Sequence, residues 1–260
     1  MKIDFHSHVK ISKNSMFMPE YFSEMVKEAS DAGLDALAMT EHFNTRKFQD
    51  IYDYLDEHYA YVDGYYNVEG LKLFPGMEVD VKEVGHILII GDKNEILAIR
   101  NRLDSHTEKE HFIQFADLMD IADEYNVLRI GAHPFRESTP LHHIDKEQLK
   151  RLDALDLNGK DLYSYSNEAY VEKLTSFAES LELPIVGGSD THQFLQYGCI
   201  YNTFETNCND VDELKRMITN GGYHTVISPN LHLKVKSATL VKKLIKNTIN
   251  QEGYATIYAS

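Results

Sequence analysis

Short apolar runs alternate along the chain with longer stretches whose apolar positions recur at helical spacing. The short runs cover Lys2–His6, Leu34–Thr40, Leu71–Pro75, His86–Ile90, Val127–Ala132, Leu152–Leu157 and Pro184–Gly187, and each reads as a β-strand. Pro19–Ala32 has a proline in its first turn and Gly33 just past its end, the usual punctuation of a helix. Further helical patterns cover Arg46–Val62, Glu110–Tyr125, Glu168–Leu181 and Val211–Asn220. Alternation of this kind predicts an α/β fold, a parallel sheet with helices outside, open or closed into a barrel. No linker-like composition or internal repeat interrupts it, so residues 1–260 read as one domain. Lys93–His111 is polar and suits a short helix and a loop. Lys234–Ile249 carries five lysines among apolar residues, as a solvated helical extension over 234–251 or an oligomer contact would.

The polar residues at the ends of those strands carry the chemistry. "FHSHVK" ends the first strand with His6 and His8, and "TEH" follows the second with Glu41 and His42. "PGMEVD" puts Glu78 after the third, and His86 opens the fourth in "GHILIIG". "GAHPFR" ends the fifth with His133, Asn158 follows the sixth, and "GSDTH" follows the seventh with Asp190 and His192. Active sites of α/β barrels and open sheets lie at the carboxyl ends of their strands, so these residues converge if the strands close up. Period-two geometry puts Asp4, His6 and His8 on one side of their strand, where Asp4 can orient a histidine from behind. His58, His106, His111, His142, His143, His224 and His232 fall in helices, loops or the tail and read as solvated. A lone histidine is more often structural than a ligand. The six beside strand ends, with Glu78 and Asp190, imply a metal centre.

Composition narrows the partners. With 26 basic against 41 acidic residues the formal charge is −15, which argues against duplex nucleic acid and anionic membranes. An anionic substrate stays possible because bound divalent ions reverse the local sign. Met1 leads straight into charged residues with no secretory h-region, and no run matches a membrane helix. Cys199 and Cys208 have neither metal-finger spacing nor a multi-bridge pattern, so a reduced, cytoplasmic protein is expected.

The ordered motifs resemble the polymerase and histidinol phosphatase (PHP) domain, a superfamily of metal-dependent phosphoesterases, over Lys2 to about Tyr223. The resemblance implies a distorted (β/α)7 TIM-like barrel holding two to three divalent ions, zinc, manganese or iron. It implies one ion on His6, His8, Glu78 and Asp190, and a second sharing Glu78 and adding His86 and His133. A third would take His42, His192 and a residue from the loop after the HxH. That loop reads "SKNSMFMPE" here, with Asn14 in the place of an aspartate and a neutral amide as the poorer ligand. The third ion then binds weakly, is absent, or recruits Glu20 or water. "TDH" has also become "TEH", so Glu41 packs differently.

Two ions bridged by a carboxylate lower the pKa of a bound water and clamp an in-line displacement at phosphorus. Catalysis is expected on Glu78, Asp190, His192 and Arg136. Arg136 is the candidate phosphate binder, against a salt bridge to Glu137 or Glu168. Lys10 and Lys13 flank the mouth, and Asn158 is a substrate hydrogen-bonder or a turn-former. Tyr52, Tyr59, Tyr61, Tyr65 and Tyr66 form either a stacking surface or a packed helix face. The leading reading is hydrolysis of a small phosphorylated metabolite or nucleotide, histidinol phosphate being one family substrate. A nuclease or oligonucleotide phosphatase, a C–N hydrolase of the amidohydrolase kind, and a non-catalytic metal-stabilised module are the alternatives. Oligomeric state is not encoded in any legible motif.

Overall fold

Proline, glycine and the switch from period-two to helical spacing set the element boundaries in the computed structural model, which describes residues 1–165 and 167–252. The chain begins β1 (Lys2–Ser7), α1 (Pro19–Asp31), β2 (Ala36–Met39) and α2 (Phe48–His58), followed by a hairpin, β3 (Ala60–Val62) and β4 (Tyr65–Val68). It continues β5 (Leu71–Asp80), β6 (His86–Gly91), α3 (Lys93–Arg102), α4 (Phe115–Ala122), β7 (Val127–Ala132) and α5 (Lys146–Leu149). Next come β8 (Ala154–Asn158), α6 (Gly159–Ser164), α7 (Asn167–Leu181) and β9 (Ile185–Gly188). The last elements are β10 (Ile200–Phe204), α8 (Val211–Thr219), β11 (Tyr223–Ile227) and α9 (Leu231–Glu252).

The barrel wall runs β1-β2-β5-β6-β7-β8-β9. Its neighbours pair parallel except around β6, which is antiparallel to both β5 and β7. The sheet curls until β9 meets β1, where the Asp190 amide donates to His6 O at 2.7 Å and the His8 amide to Thr191 O at 2.8 Å. The result is a nearly closed, seven-stranded TIM-like barrel with one reversed strand. The reversal explains His86. It opens its strand, yet it sits opposite Ala132 and Asp80, at the end where the parallel strands finish.

Apolar side chains fill two layers. Ile3, Phe5, Ala38, Phe74, Leu88, Ile90 and Ile130 occupy the barrel interior together with Leu214 and Ile218 of α8. Helix α8 closes the end away from His86, with Lys215 Nζ donating to Val127 O at 3.0 Å. Outward-facing Leu37, Met39, Ile87 and Ile89 pack under Phe22, Ile51, Leu118 and Leu174 of the surrounding helices.

Helix α2 is shorter than its periodicity suggests, because the tyrosine-rich segment turns into the β3–β4 hairpin and extends the edge of β5. Tyr52 and Tyr66 are fully buried, Tyr66 donating to Asp56 at 2.7 Å and Tyr61 to Asp92 at 2.8 Å. These tyrosines are packing residues. Helix α9 is likewise not a fully solvated helix: Leu231, Val235, Ala238 and Ile245 are buried against the body of the protein. Cys199 and Cys208 are buried free thiols. Among the described residues no helix is long and apolar enough to cross a membrane.

One side chain stitches the seam below the β9–β1 meeting point. Strand β10 pairs antiparallel with β1 and β11. Buried Asn202 accepts from Gly187 N at 2.7 Å and donates to Gly187 O at 2.8 Å and Ile3 O at 3.2 Å. Its amide supplies the ladder bonds that β9 and β1 are too far apart to make. Asn202→Leu leaves these backbone groups buried and unpaired, so a loss of about 2–4 kcal/mol is expected in urea unfolding. A loss under about 1 kcal/mol would mean that the direct β9–β1 bonds hold the seam alone.

Candidate metal centre

A bulge in β1 aims the paired histidines. Asp4 pairs with Leu37 and Ser7 with Met39, so β1 carries one residue more than β2 between those points. Strict alternation would send His6 outward after Ile3 and Phe5 face in. The extra residue resets the phase. His6 turns into the barrel, while Asp4 stays on the outer side and accepts from His6 N at 3.1 Å and Ser189 N at 2.9 Å. Asp4 therefore ties β1 to β9 and orients no imidazole. That task falls to Asp156, whose Oδ2 lies 3.0 Å from His6 Nδ1. The close approach needs Gly188, where a Cβ would stand 2.5 Å from His6 Cβ and 2.6 Å from Asp156 Oδ1.

Glu78 stands at the centre. Its Oε1 lies 2.7 Å from His86 Nδ1, 3.2 Å from His133 Nε2 and 3.5 Å from His6 Nε2. Its Oε2 lies 2.8 Å from His42 Nδ1 and 3.7 Å from His8 Nε2. Around it the donors fall into three compact triads: His6, His8 and Asp190; Glu78, His86 and His133; and His8, His42 and His192. The third triad draws on His8 where a loop residue was expected. Asn14 and Glu20 are exposed, and Glu20 stands outside all three. His8 stacks on His192 at 3.9 Å between ring centroids.

The donor chemistry fits divalent ions. Buried His6 Nε2 and both nitrogens of His8 make no hydrogen bond among the described residues. Unmade hydrogen bonds at buried imidazoles are costly, and nitrogen with carboxylate oxygen is a donor set for zinc, manganese or iron. The ring positions are braced from behind. Thr139 Oγ1 is 3.3 Å from His133 Nδ1, and Asp80 Oδ1 is 3.0 Å from His86 Nε2. Glu41 instead caps the turn after β1, accepting from Val9 N, Lys10 N and His42 N. His133 (φ 33°) and Asp190 (φ 57°) hold left-handed backbone, a strain typical of functional positions.

Charge is balanced inside a buried volume. Burial alone would raise the Glu78 and Asp190 carboxyls, but nearby imidazoles, and for Asp190 also Lys160 and Arg136, hold both well below the usual range. Burial would likewise lower His6, yet the Asp190 and Glu78 carboxylates lift it to about 10; Glu78 and Asp80 lift His86 to about 9. His133 and His192 go the other way through burial, beside Arg136 and beside His8, Lys242 and Lys160 respectively.

Cations line the mouth, although not all those expected. Arg136 donates to Asp161 Oδ1 at 2.8 Å, Asp190 Oδ2 at 2.9 Å and Asn158 Oδ1 at 2.8 Å. It is salt-bridged, but to neither Glu137 nor Glu168. Asn158 caps α6 through Lys160 N and donates to Asp156, so its amide is committed within the protein. Lys10 is fully buried and donates into the loop at Arg46 O, 2.6 Å away, because its strand-end position points it into the packed turn rather than the mouth. Two lysines that the sequence reading did not single out for the site take its place. Lys160 contacts Asp190 Oδ1 at 2.7 Å and lines, with Arg136 and Tyr165, a cavity of about 640 Å³. Lys242 reaches the same region from α9, where burial and the facing Lys160 pull it down to about 7. Lys160 follows the end of β8 directly, the rule that flagged the other residues; Lys242 had no such signal.

Comparison with solved structures finds this barrel elsewhere. PsfC from Pseudomonas syringae PB-5123 superposes with a TM-score of 0.78 at 21% identity, over 94% of this chain and 98% of that one. The lesion-specific endonuclease PfuEndoQ from Pyrococcus furiosus gives 0.66 at 23% identity, over 86% of this chain and 57% of that one. Endonuclease Q in complex with a 27-mer duplex bearing an abasic lesion at the active site gives 0.64 at 20% identity, over 85% and 57%. The last overturns the exclusion of duplex nucleic acid drawn from net charge, since a protein of this fold takes a duplex. Net charge averages over the surface, while Arg136, Lys160 and Lys242 set the field at the mouth. No protein of curated function matches the sequence. The PHP domain family model matches residues 4–258, and the chain belongs to that family.

Proposed function

We propose that this protein is a metal-dependent hydrolase of phosphate esters on small phosphorylated molecules. The observation that carries the reading is the buried Glu78 carboxylate amid three donor triads, with His6 Nε2 and both His8 nitrogens making no hydrogen bond among the described residues. His6, His8, Asp190, Glu78, His86 and His133 would hold two ions, and His8, His42 and His192 a third. Bound divalent ions supply Lewis acidity and an activated water for in-line displacement at phosphorus. The chain's own contribution is positioning and charge. Arg136 fixes Asp190 by a charge-assisted bond, and Asp156 fixes the His6 ring. Lys160, with 30% of its side chain exposed, faces the 640 Å³ cavity and can reach a non-bridging phosphate oxygen. Because endonuclease Q acts on DNA with the same fold, aryl diesters belong in the assay beside aryl monoesters.

Metal analysis of protein purified without chelator, paired with aryl phosphate hydrolysis, tests the reading. Glu78→Gln is expected to lower both metal content and turnover, turnover by at least about 100-fold. Unchanged hydrolysis in metal-defined buffer would sink it, and ions without turnover on any ester would favour a structural role. Lys160→Ala should lower kcat/KM by about 10–100-fold, about 1.4–2.8 kcal/mol, with most of the change in KM. Loading should also release protons, because His6 and His86 are protonated in the metal-free protein below about 9 and ligate only when neutral. Calorimetric zinc titrations near neutral pH should then give heats that differ between buffers of different ionisation enthalpy. Identical heats would contradict it.

A further inference from the structure

A second cavity, of about 320 Å³, opens beside His86. Its walls include His86, Lys13, Lys82, Lys109, Val84 and Phe112, and only Ser138 is shared with the cavity of Arg136 and Lys160. Three lysines line this one small cavity in a chain of net charge −15. Lys13 is matched by Asp80 at 2.8 Å. Lys82 and Lys109 are exposed and form no ion pair among the described residues, so beside the Lys13–Asp80 pair they leave the cavity wall with uncompensated positive charge. The apolar wall carries an independent sign. Val84, in the turn between β5 and β6, holds φ 70° with a side chain 52% exposed. A β-branched residue pays for that conformation with no burial in return, as substrate-facing loops do.

Resting on the phosphoesterase reading, we infer that this cavity is a second anion subsite. It takes a phosphate or carboxylate group remote from the scissile phosphate, with Val84 and Phe112 against the connecting apolar part. The substrate class is then a small molecule with two anionic groups, one seated on the metal centre and the other at Lys82 and Lys109. Spanning both places fixes the orientation of the ester and favours such molecules over simple monoesters.

The test is calorimetric binding of a matched pair, propyl phosphate and 1,3-propanediol bisphosphate, to metal-loaded wild type and the Lys82→Ala/Lys109→Ala double variant. Hydrolysis of p-nitrophenyl phosphate is measured alongside. The inference expects wild type to bind the bisphosphate at least about 10-fold tighter than the monophosphate, the scale of one charge-assisted contact. It expects the double variant to lose that advantage while p-nitrophenyl phosphate kinetics stay within about twofold of wild type. No preference in wild type, or a preference the variant retains, overturns the subsite. Absence of p-nitrophenyl phosphate turnover would count against the phosphoesterase reading, and the binding comparison would still decide the subsite because it needs no turnover.

Discussion

One buried carboxylate, Glu78, faces five imidazoles across two oxygens, and the rest of the architecture answers to that arrangement. A lone carboxylate in an apolar interior would protonate or draw water in. Here His6 and His86 carry the compensating charge, while Arg136 and Lys160 do the same for Asp190. Burial, with Arg136 beside His133 and His8, Lys242 and Lys160 beside His192, pushes those two rings toward the neutral form that metals require. The centre is thus held together by alternating sign, with His6 Nε2 and both His8 nitrogens making no hydrogen bond among the described residues.

Bringing those residues to one end of the barrel takes local departures from regular geometry. The β1 bulge turns His6 inward, the reversed β6 delivers His86 from a strand's beginning, and left-handed backbone turns His133 and Asp190 toward Glu78. Gly188 leaves room for the His6 ring and its Asp156 brace. Each departure costs free energy on its own. They persist because the packed layers on either side of the sheet leave the chain few alternatives.

Much of this was legible before any coordinates. The strand positions and the six histidines beside strand ends follow from periodicity and residue type, since fully buried strands read as apolar runs bounded by polar chemistry. The Asp4 assignment failed because period two assumes no bulge, and a bulge leaves no mark in composition. The role of Lys10 failed for a related reason: a strand-end residue can turn into the wall as readily as into the mouth. Lys242 was lost among five helical lysines, since only the docking of α9 tells which one meets the centre. The β3–β4 hairpin was hidden because its tyrosines also satisfied helical spacing. Net charge misled most, having been treated as a property of the cleft.

The seam has a consequence for how the molecule comes into being. Asp4 binds Ser189 across 185 residues, and the first residue's amino group reaches Phe204 across 203. The first strand and the ninth and tenth are therefore mutual prerequisites, and contacts of such separation form slowly because the loop between them must be closed first. During synthesis, the first strand and the His6 and His8 at its end must wait unsheltered until the ninth and tenth strands have left the ribosome. The donor residues from the first and last parts of the chain therefore come together only at the final closure of the barrel.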